Sequence, residues 1–550
     1  MHPAGNAIGA SAAAGSVAAE TLPPSRRSRL LRAGGLLLAA AGLFILYFRQ
    51  SRVASFNSDG ASLVLQAQDM LHGNLLLRGW WTSDVSFYTT ELPEYMLVDL
   101  VRGLRPDVVH ICGALTYTLA VLLAALLARG RAKGLAGVVR ALLAVGIMLA
   151  PSIAGGTPAL LENPDHFGTA VPILLILLVL DRAQERWYVP VVVCGLLAWV
   201  QVGDELAVVA VAVPVAVVSV VRLIVLAIRF RPLREFWYDT ALGMAAAVSI
   251  LLAADAEKAV RALGGFDLIP LPRQLLVTRS QLPGHIRALG ETLLLLFGAN
   301  GQGKNGLAFL AQFHLIGLAL AGLALLAAIV WYATRVDRVT QIVVAAVVAT
   351  MAAAILTIEL SSAGQAHEVA VLLPFGAVLA GRVLPGLLPD RVRAARRALL
   401  PAGGAWLAFG LAALCYAGCG APAAAENMPL AVWLTAHGYT EGLAAYWQAS
   451  STTVDSDGKT LVAPVTDQGT AVYAWEADAA WYDPGTRRAN FVVAMENPDG
   501  PLGGIAVSAA QEFFGRPAHT YRVDGYVIMV YQYNLLTRLA DGSEQLRSSR

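Results

Sequence analysis

Charge is scarce in this chain. Asp, Glu, Lys and Arg make up 14% of its 550 residues and hydrophobic residues 57%, against about 25% and about 45–50% in soluble globular proteins. That excludes a wholly soluble protein. A net charge of only +2 excludes the broad basic field that gathers nucleic acid. Cysteine is also sparse. Cys112, Cys194, Cys415 and Cys419 all fall in apolar segments, none at metal-site spacing, and the tail beyond 420 has no disulfide framework. There is no Ser-His-Asp pattern, no zinc signature, no dinucleotide fingerprint and no internal repeat. The string Gly298-Ala299-Asn300-Gly301-Gln302-Gly303-Lys304-Asn305-Gly306 superficially matches a phosphate-binding glycine loop. It lacks the Gly-Lys-Ser/Thr ending and a preceding strand, which excludes a nucleotide site.

What the chain has is apolar length. Eleven segments suit a polytopic α-helical membrane protein, near 33–49, 108–128, 137–153, 167–181, 188–203, 206–228, 239–254, 306–332, 340–358, 368–388 and 399–419, given that about 20 apolar residues cross a bilayer. Residues 1–28 read as a disordered cytoplasmic tail, followed by an uncleaved signal-anchor. With the N-terminus inside, every short inner loop is basic: Arg129, Arg131 and Lys133; Arg182 and Arg186; Arg229, Arg231 and Arg234; Arg335 and Arg338; Arg391, Arg393, Arg396 and Arg397. This is the positive-inside pattern. The multi-span part is then 29–419, with long outer loops at about 50–107 and 255–305, the latter a candidate lid. Residues 420–550 follow outside as a small extracytoplasmic α/β domain. There Thr460–Val465, Phe491–Met495 and Tyr521–Tyr531 read as strands, and Leu430–Ala436, Glu441–Ala449 and Ser508–Phe514 as helices. The Ala-, Val-, Gly- and Arg-rich composition suggests a bacterial plasma membrane.

The residues able to carry chemistry gather on the outer side. Asp59 follows the first span in Ser55-Phe56-Asn57-Ser58-Asp59-Gly60. Leu63, Val64, Ala67, Met70 and Leu71 then recur at helical spacing, predicting a helix lying in the membrane interface. Ser58 or Asp59 would cap it, and Trp80 and Trp81 would join an aromatic belt. A second acidic cluster holds Glu91 and Glu94 in Thr90-Glu91-Leu92-Pro93-Glu94-Tyr95. Glu162, Asp165 and His166 stand at the mouth of a short span. Asp204 and Glu205 read as the cap of the next outer turn. Arg78, His166, Arg273, Arg279, His285, Arg287, Lys304 and His367 are the outer cations, and His367-Glu368 closes the last outer turn. The tail's aromatic residues suit sugar stacking or, more simply, a core.

The order of first span, Asp59, a helix ending in Met70-Leu71-His72-Gly73-Asn74 and the acidic-Pro turn at Glu91–Glu94 resembles the first outer loop of GT-C glycosyltransferases. It is most similar to the branch of protein O-mannosyltransferases and lipid A aminoarabinose transferases. The resemblance covers about residues 30–130 at motif level. It implies a polyprenyl-phosphate sugar donor, transfer outside the cytoplasm without a nucleotide, and Asp59 as catalytic base. Glu91, Glu94, Glu162, Asp165, His166, Arg273, Lys304 and His367 are candidates for substrate contact, among membrane lipids. Two positions depart from the pattern. Gly60 stands where a second acidic residue is common, which weakens any metal-site reading, and the Thr-Glu-Leu-Pro-Glu turn lacks a lysine. No cofactor is called for, a divalent metal being possible. The alternatives are a transporter or flippase of lipid-linked precursors, which would place charges inside the spans, and a non-catalytic assembly protein on the same scaffold.

Overall fold

The computed structural model describes residues 26–151, 158–161, 165–183, 185–270, 276–300, 308–332, 336–358, 360–387, 393–500 and 503–539. The tail expected at 1–28 lies almost entirely outside them. The chain divides into two compact units, 1–43 and 44–550; helix α1 (Arg26–Ser51) starts in the first and ends in the second.

A helix stands in each of the eleven apolar segments. Among the described residues, six are long and apolar enough to cross a membrane: Ala33–Ser51, Asp107–Arg129, Val208–Ile228, Trp237–Ala262, Ala311–Val330 and Arg338–Leu356. Gly134–Met148, Tyr188–Gly203, Leu372–Leu387 and Pro401–Ala417 are shorter apolar helices, as is Ala170–Arg182. Eleven crossings therefore remain the expectation from sequence.

Helix α7 (Ala170–Arg182) packs against α8 (Tyr188–Gly203) and α13 (Arg338–Leu356), and α13 against α14 (Leu372–Leu387). At one end α7, α13 and α14 are stitched by charge. Arg382, its side chain 5% exposed, pairs with Asp181 at 2.8 Å and Asp337 at 2.7 Å. It also donates to the Leu127 carbonyl and the Thr340 hydroxyl. Arg222 and Arg338 converge on Asp239, each at 3.1 Å. A buried guanidinium is tolerated because its donors all find partners. These helices thus carry more charge than their apolar runs suggest.

The other end of the bundle meets the tail. Helix α2 (Ser58–Leu71) does not lie in a membrane interface. Both its apolar face and its Ser62 and Gln66 face are buried. It packs against α3 (Leu92–Arg102) and α17 (Tyr446–Asp455). The tail's polar cover explains why a half-polar helix is fully enclosed. Trp80 and Trp81 likewise leave the expected aromatic belt. They form strand β1, antiparallel to β4 (Ala477–Asp478). Trp80 packs edge-on to Trp481 at 5.2 Å and donates to Asp69 at 2.8 Å.

The tail itself is a five-stranded mixed sheet in the order β3-β2-β5-β7-β6. Strands β3 (Leu461–Val465) and β5 (Phe491–Met495) stand where the sequence puts them. The run 521–531 is a hairpin, β6 (His519–Val523) and β7 (Tyr526–Val530), turning at Asp524-Gly525. The segment 441–449 is not one helix. Glu441–Ala445 is strand β2, parallel between β3 and β5, and only then does α17 begin. Its Ala- and Leu-rich composition favours a helix, but tertiary pairing overrides so weak a preference. Gly442 is required there, since a Cβ would meet the Phe491 ring at 2.2 Å. One sheet face packs on α16 (Met428–Ala436) through Leu430 and Leu434. The other shares a continuous core with the first outer loop, joining Leu443, Val492 and Met529 to Leu63, Trp80 and Leu92.

Candidate functional site

The site is assembled from the ends of α7, α8 and α14, the first outer loop and the tail. Helix α2 is capped by Asn57, whose side-chain oxygen accepts from the Gly60 N–H at 3.1 Å. Neither Ser58 nor Asp59 is needed for that work. Asp59 sits in the first turn, half-buried, with both carboxylate oxygens held. Oδ1 accepts from the Tyr446 hydroxyl at 2.5 Å and Oδ2 from the Asn57 amide at 3.0 Å. Burial lifts its carboxyl above the usual range, against the Tyr446 hydrogen bond and the charge of His367.

His166 is the hub of a second cluster. It holds a left-handed backbone conformation, φ +54°, which a non-glycine residue adopts only when its surroundings enforce it. Its Nδ1 lies 3.1 Å from Asp204 and its Nε2 3.8 Å from Glu368. Its ring stacks on His367 at 5.6 Å and meets the edge of Phe87. His367 Nε2 is 3.5 Å from Glu368. Burial works against an imidazolium here, yet Glu368, Asp204 and Asp165 outweigh it, so His166 is held charged well above its ordinary range. Asp204 also caps its own turn, accepting from the Leu206 N–H at 2.8 Å. The expected cap thus uses one oxygen, and the other meets His166.

His166, His367 and Glu368 present three ligand atoms within 4.8 Å of one another. Two imidazoles and a carboxylate suit a divalent transition metal. Asp204 on His166 Nδ1 supplies the outer-sphere carboxylate that commonly orients a metal-bound imidazole.

A cleft opens beside this cluster, with about 570 Å³ of unfilled space including its mouth. His166, Asp204, His367 and Glu368 line it together with aliphatic residues such as Ile173, Val209, Ala353 and Val371 and three threonines, Thr169, Thr350 and Thr357. It is therefore a slot of mixed lining, part charged and part aliphatic.

The remaining predicted residues separate by position. Glu91 lies behind the cleft wall, buried, accepting from the Thr169 N–H at 3.1 Å at the start of α7. Burial, then the neighbouring Asp204 charge, pushes its carboxyl up to about 8. Glu94 faces away, accepting from Thr116 of α4 (Asp107–Arg129) at 2.7 Å, and burial raises it to about 7. Asp165 stands within electrostatic reach of both His166 and Glu476. Glu162, Arg273 and Lys304 lie outside the described residues. Sequence reading counted Tyr446 only among the tail's aromatic residues, suited to sugar stacking or a core, and gave Glu476 no role. Both sit in the tail, far along the chain, and only the packing of the tail on the first loop brings them to Asp59.

No family model and no curated protein matches the sequence. Among solved structures, the crystal structure of the Archaeoglobus fulgidus oligosaccharyltransferase in the apo form is similar. The two are 12% identical, the match covers 89% of this chain and 74% of that one, and the TM-score is 0.45. At that level the likeness is one of outline, and no residue's role passes from that protein to this chain.

Proposed function

We propose that the chain is a membrane glycosyltransferase of GT-C type that transfers a sugar from a polyprenyl-phosphate-linked donor to an extracytoplasmic hydroxyl acceptor on a glycan, lipid or protein. The cleft carries this reading. A donor of that class has an anionic head and a long hydrocarbon tail, and the slot combines the His166–His367–Glu368 cluster with aliphatic side chains.

Breaking the anomeric bond leaves negative charge on the donor phosphate, and fixed donors stabilise such charge best in a dry site. Both ring nitrogens of His166 already face carboxylates, Asp204 and Glu368, so the imidazolium alone does not offset that charge. A divalent cation held by His166, His367 and Glu368 would supply the neutralisation as a Lewis acid. Asp59 takes the acceptor hydroxyl's proton. A carboxyl raised by burial is a stronger base than one in water, and proton transfer of this kind contributes about 10²–10⁴-fold to rate.

The test is transfer from a short-chain polyprenyl-phosphate hexose to a soluble hydroxyl acceptor by the purified protein in lipid nanodiscs. Asp59→Asn is expected to cut turnover by about 10²-fold or more with an unchanged unfolding temperature. Wild-type turnover in the Asn variant removes Asp59 as base. Failure of the wild-type protein to use any lipid-phosphate sugar overturns the reading.

A further inference from the structure

Glu476 is a strange place for a carboxyl. It is 3% exposed, and its backbone sits in the left-handed region at φ +47°, a conformation that a non-glycine residue keeps only where the fold enforces it. The strand pair of Trp80 with Asp478 and Trp81 with Ala477 enforces it, because Glu476 directly precedes β4. Its Oε2 lies 2.6 Å from the Tyr446 hydroxyl and accepts from the Ser62 hydroxyl of α2. The same Tyr446 hydroxyl is 2.5 Å from Asp59 Oδ1.

Counting hydrogens fixes the protonation. A phenol has one O–H and can donate one ordinary hydrogen bond. Tyr446 makes close contacts with two carboxyl oxygens, so one of those contacts must be donated by a carboxylic acid. Asp59 is the less deeply buried of the two, receives the Asn57 N–H and lies within reach of the His367 charge. Glu476 is enclosed, and it faces Asp59 and Asp165 with no cation among the groups acting on it. Tyr473, from the loop that leads into β4, is the other titratable neighbour. The hydrogen therefore sits on Glu476. The neutral Glu476 acid donates to the Tyr446 oxygen, Tyr446 donates to the Asp59 carboxylate, and the single Ser62 hydroxyl hydrogen is shared between Glu476 Oε2 and the Asp59 carbonyl, 2.9 Å away.

We propose that Tyr446 and Glu476 are positioning residues for Asp59, through which the tail locks the carboxylate of the base by way of one shared, buried proton. The role as base rests on the transferase reading; the shared proton does not. Burial, followed by the Asp59 and Asp165 charges, raises the Glu476 carboxyl well above its ordinary range, in keeping with the hydrogen count. Tyr446 is itself anchored, its carbonyl accepting from Ser58 at 2.8 Å, so the relay joins the first turn of α2 to the first turn of α17 at two points.

Two measurements on the full-length protein in nanodiscs test this. In infrared difference spectra at neutral pH, Glu476→Gln is expected to remove one protonated-carboxyl carbonyl band, and Tyr446→Phe to shift it. If no carboxyl band is lost, Glu476 is ionised and the proposal fails, whatever the enzyme does. In transfer from a polyprenyl-phosphate hexose, Tyr446→Phe and Glu476→Ala are expected to lower kcat by about 10- to 100-fold with KM little changed, the scale of a misplaced catalytic group. Glu476→Gln, which keeps a neutral donor, should recover most of the Glu476→Ala loss. A Gln variant as inactive as Asp59→Asn, or a Tyr446→Phe variant at the wild-type rate, overturns the positioning role. If the wild-type protein shows no transfer, the transferase reading falls while the infrared result still decides the shared proton.

Discussion

Glu91 illustrates how a carboxyl in an acidic cluster becomes a buried acid. Its folded-state value of about 8 lies above the unfolded value of about 4.3. Between those values the folded chain holds a proton that the unfolded chain has released. The contribution of this group to stability is complete below the lower value and falls as pH rises, by about 1.4 kcal/mol per pH unit. It levels off above about 8. Glu91→Gln should flatten that part of the stability profile and be the more stable protein at alkaline pH, as chemical unfolding across the window would measure. An unchanged slope would mean that Glu91 is ionised when folded. The carboxyl also fixes a glycine. A Cβ on Gly168 would meet Glu91 Oε1 at 2.5 Å, so Gly168→Ala should displace Glu91 and cost about 1–3 kcal/mol, the usual scale of overpacking.

Helix α2 shows what an element's sequence reveals and withholds. Its extent was legible, because Leu63, Val64, Ala67, Met70 and Leu71 repeat at a helical period and a cap residue precedes them. Which residue caps was not, since Asn57, Ser58 and Asp59 are all good caps; only the Asn57 contact to the Gly60 N–H at 3.1 Å decides. Nor was its burial legible, because the surface covering Ser62 and Gln66 comes from residues some 400 positions later, out of reach of any local pattern. The same blindness turned β2 into a helix, where Glu441–Ala445 is defined by its neighbours β3 and β5. Asn57 carries two jobs, cap and partner of Asp59 Oδ2. Asn57→Ala should therefore cost about 1 kcal/mol of stability and also lower transfer, whereas Asn57→Ser, a good cap whose shorter side chain gives up the amide donor to Asp59, should restore the stability without the activity. Equal recovery of both would show that only the cap matters.

At the scale of the whole molecule, the tail behaves as part of the first outer loop rather than as an appended domain. Strand β4 has its ladder partner in β1, Trp80 packs on Trp481, and one face of the sheet is closed by Leu63, Trp80 and Leu92 together with the tail's own Val454 and Phe514. Remove that loop and this face of the sheet loses part of its cover. The loop in turn loses the cover over α2 and the tyrosine that holds Asp59. The two therefore stand or fall together in residues 44–550, which form one compact unit. Trp80→Ala isolates this coupling, for it lies outside the cleft lining and its indole fills the joint. The truncation should cost about 3–5 kcal/mol. In native-state hydrogen exchange the loss should appear at β4 and α17 as strongly as at α2, while the amides of α7 and α13 around the cleft keep their protection, since local opening follows cooperative units. Loss confined to the first loop would show that the tail folds by itself and only leans on the site.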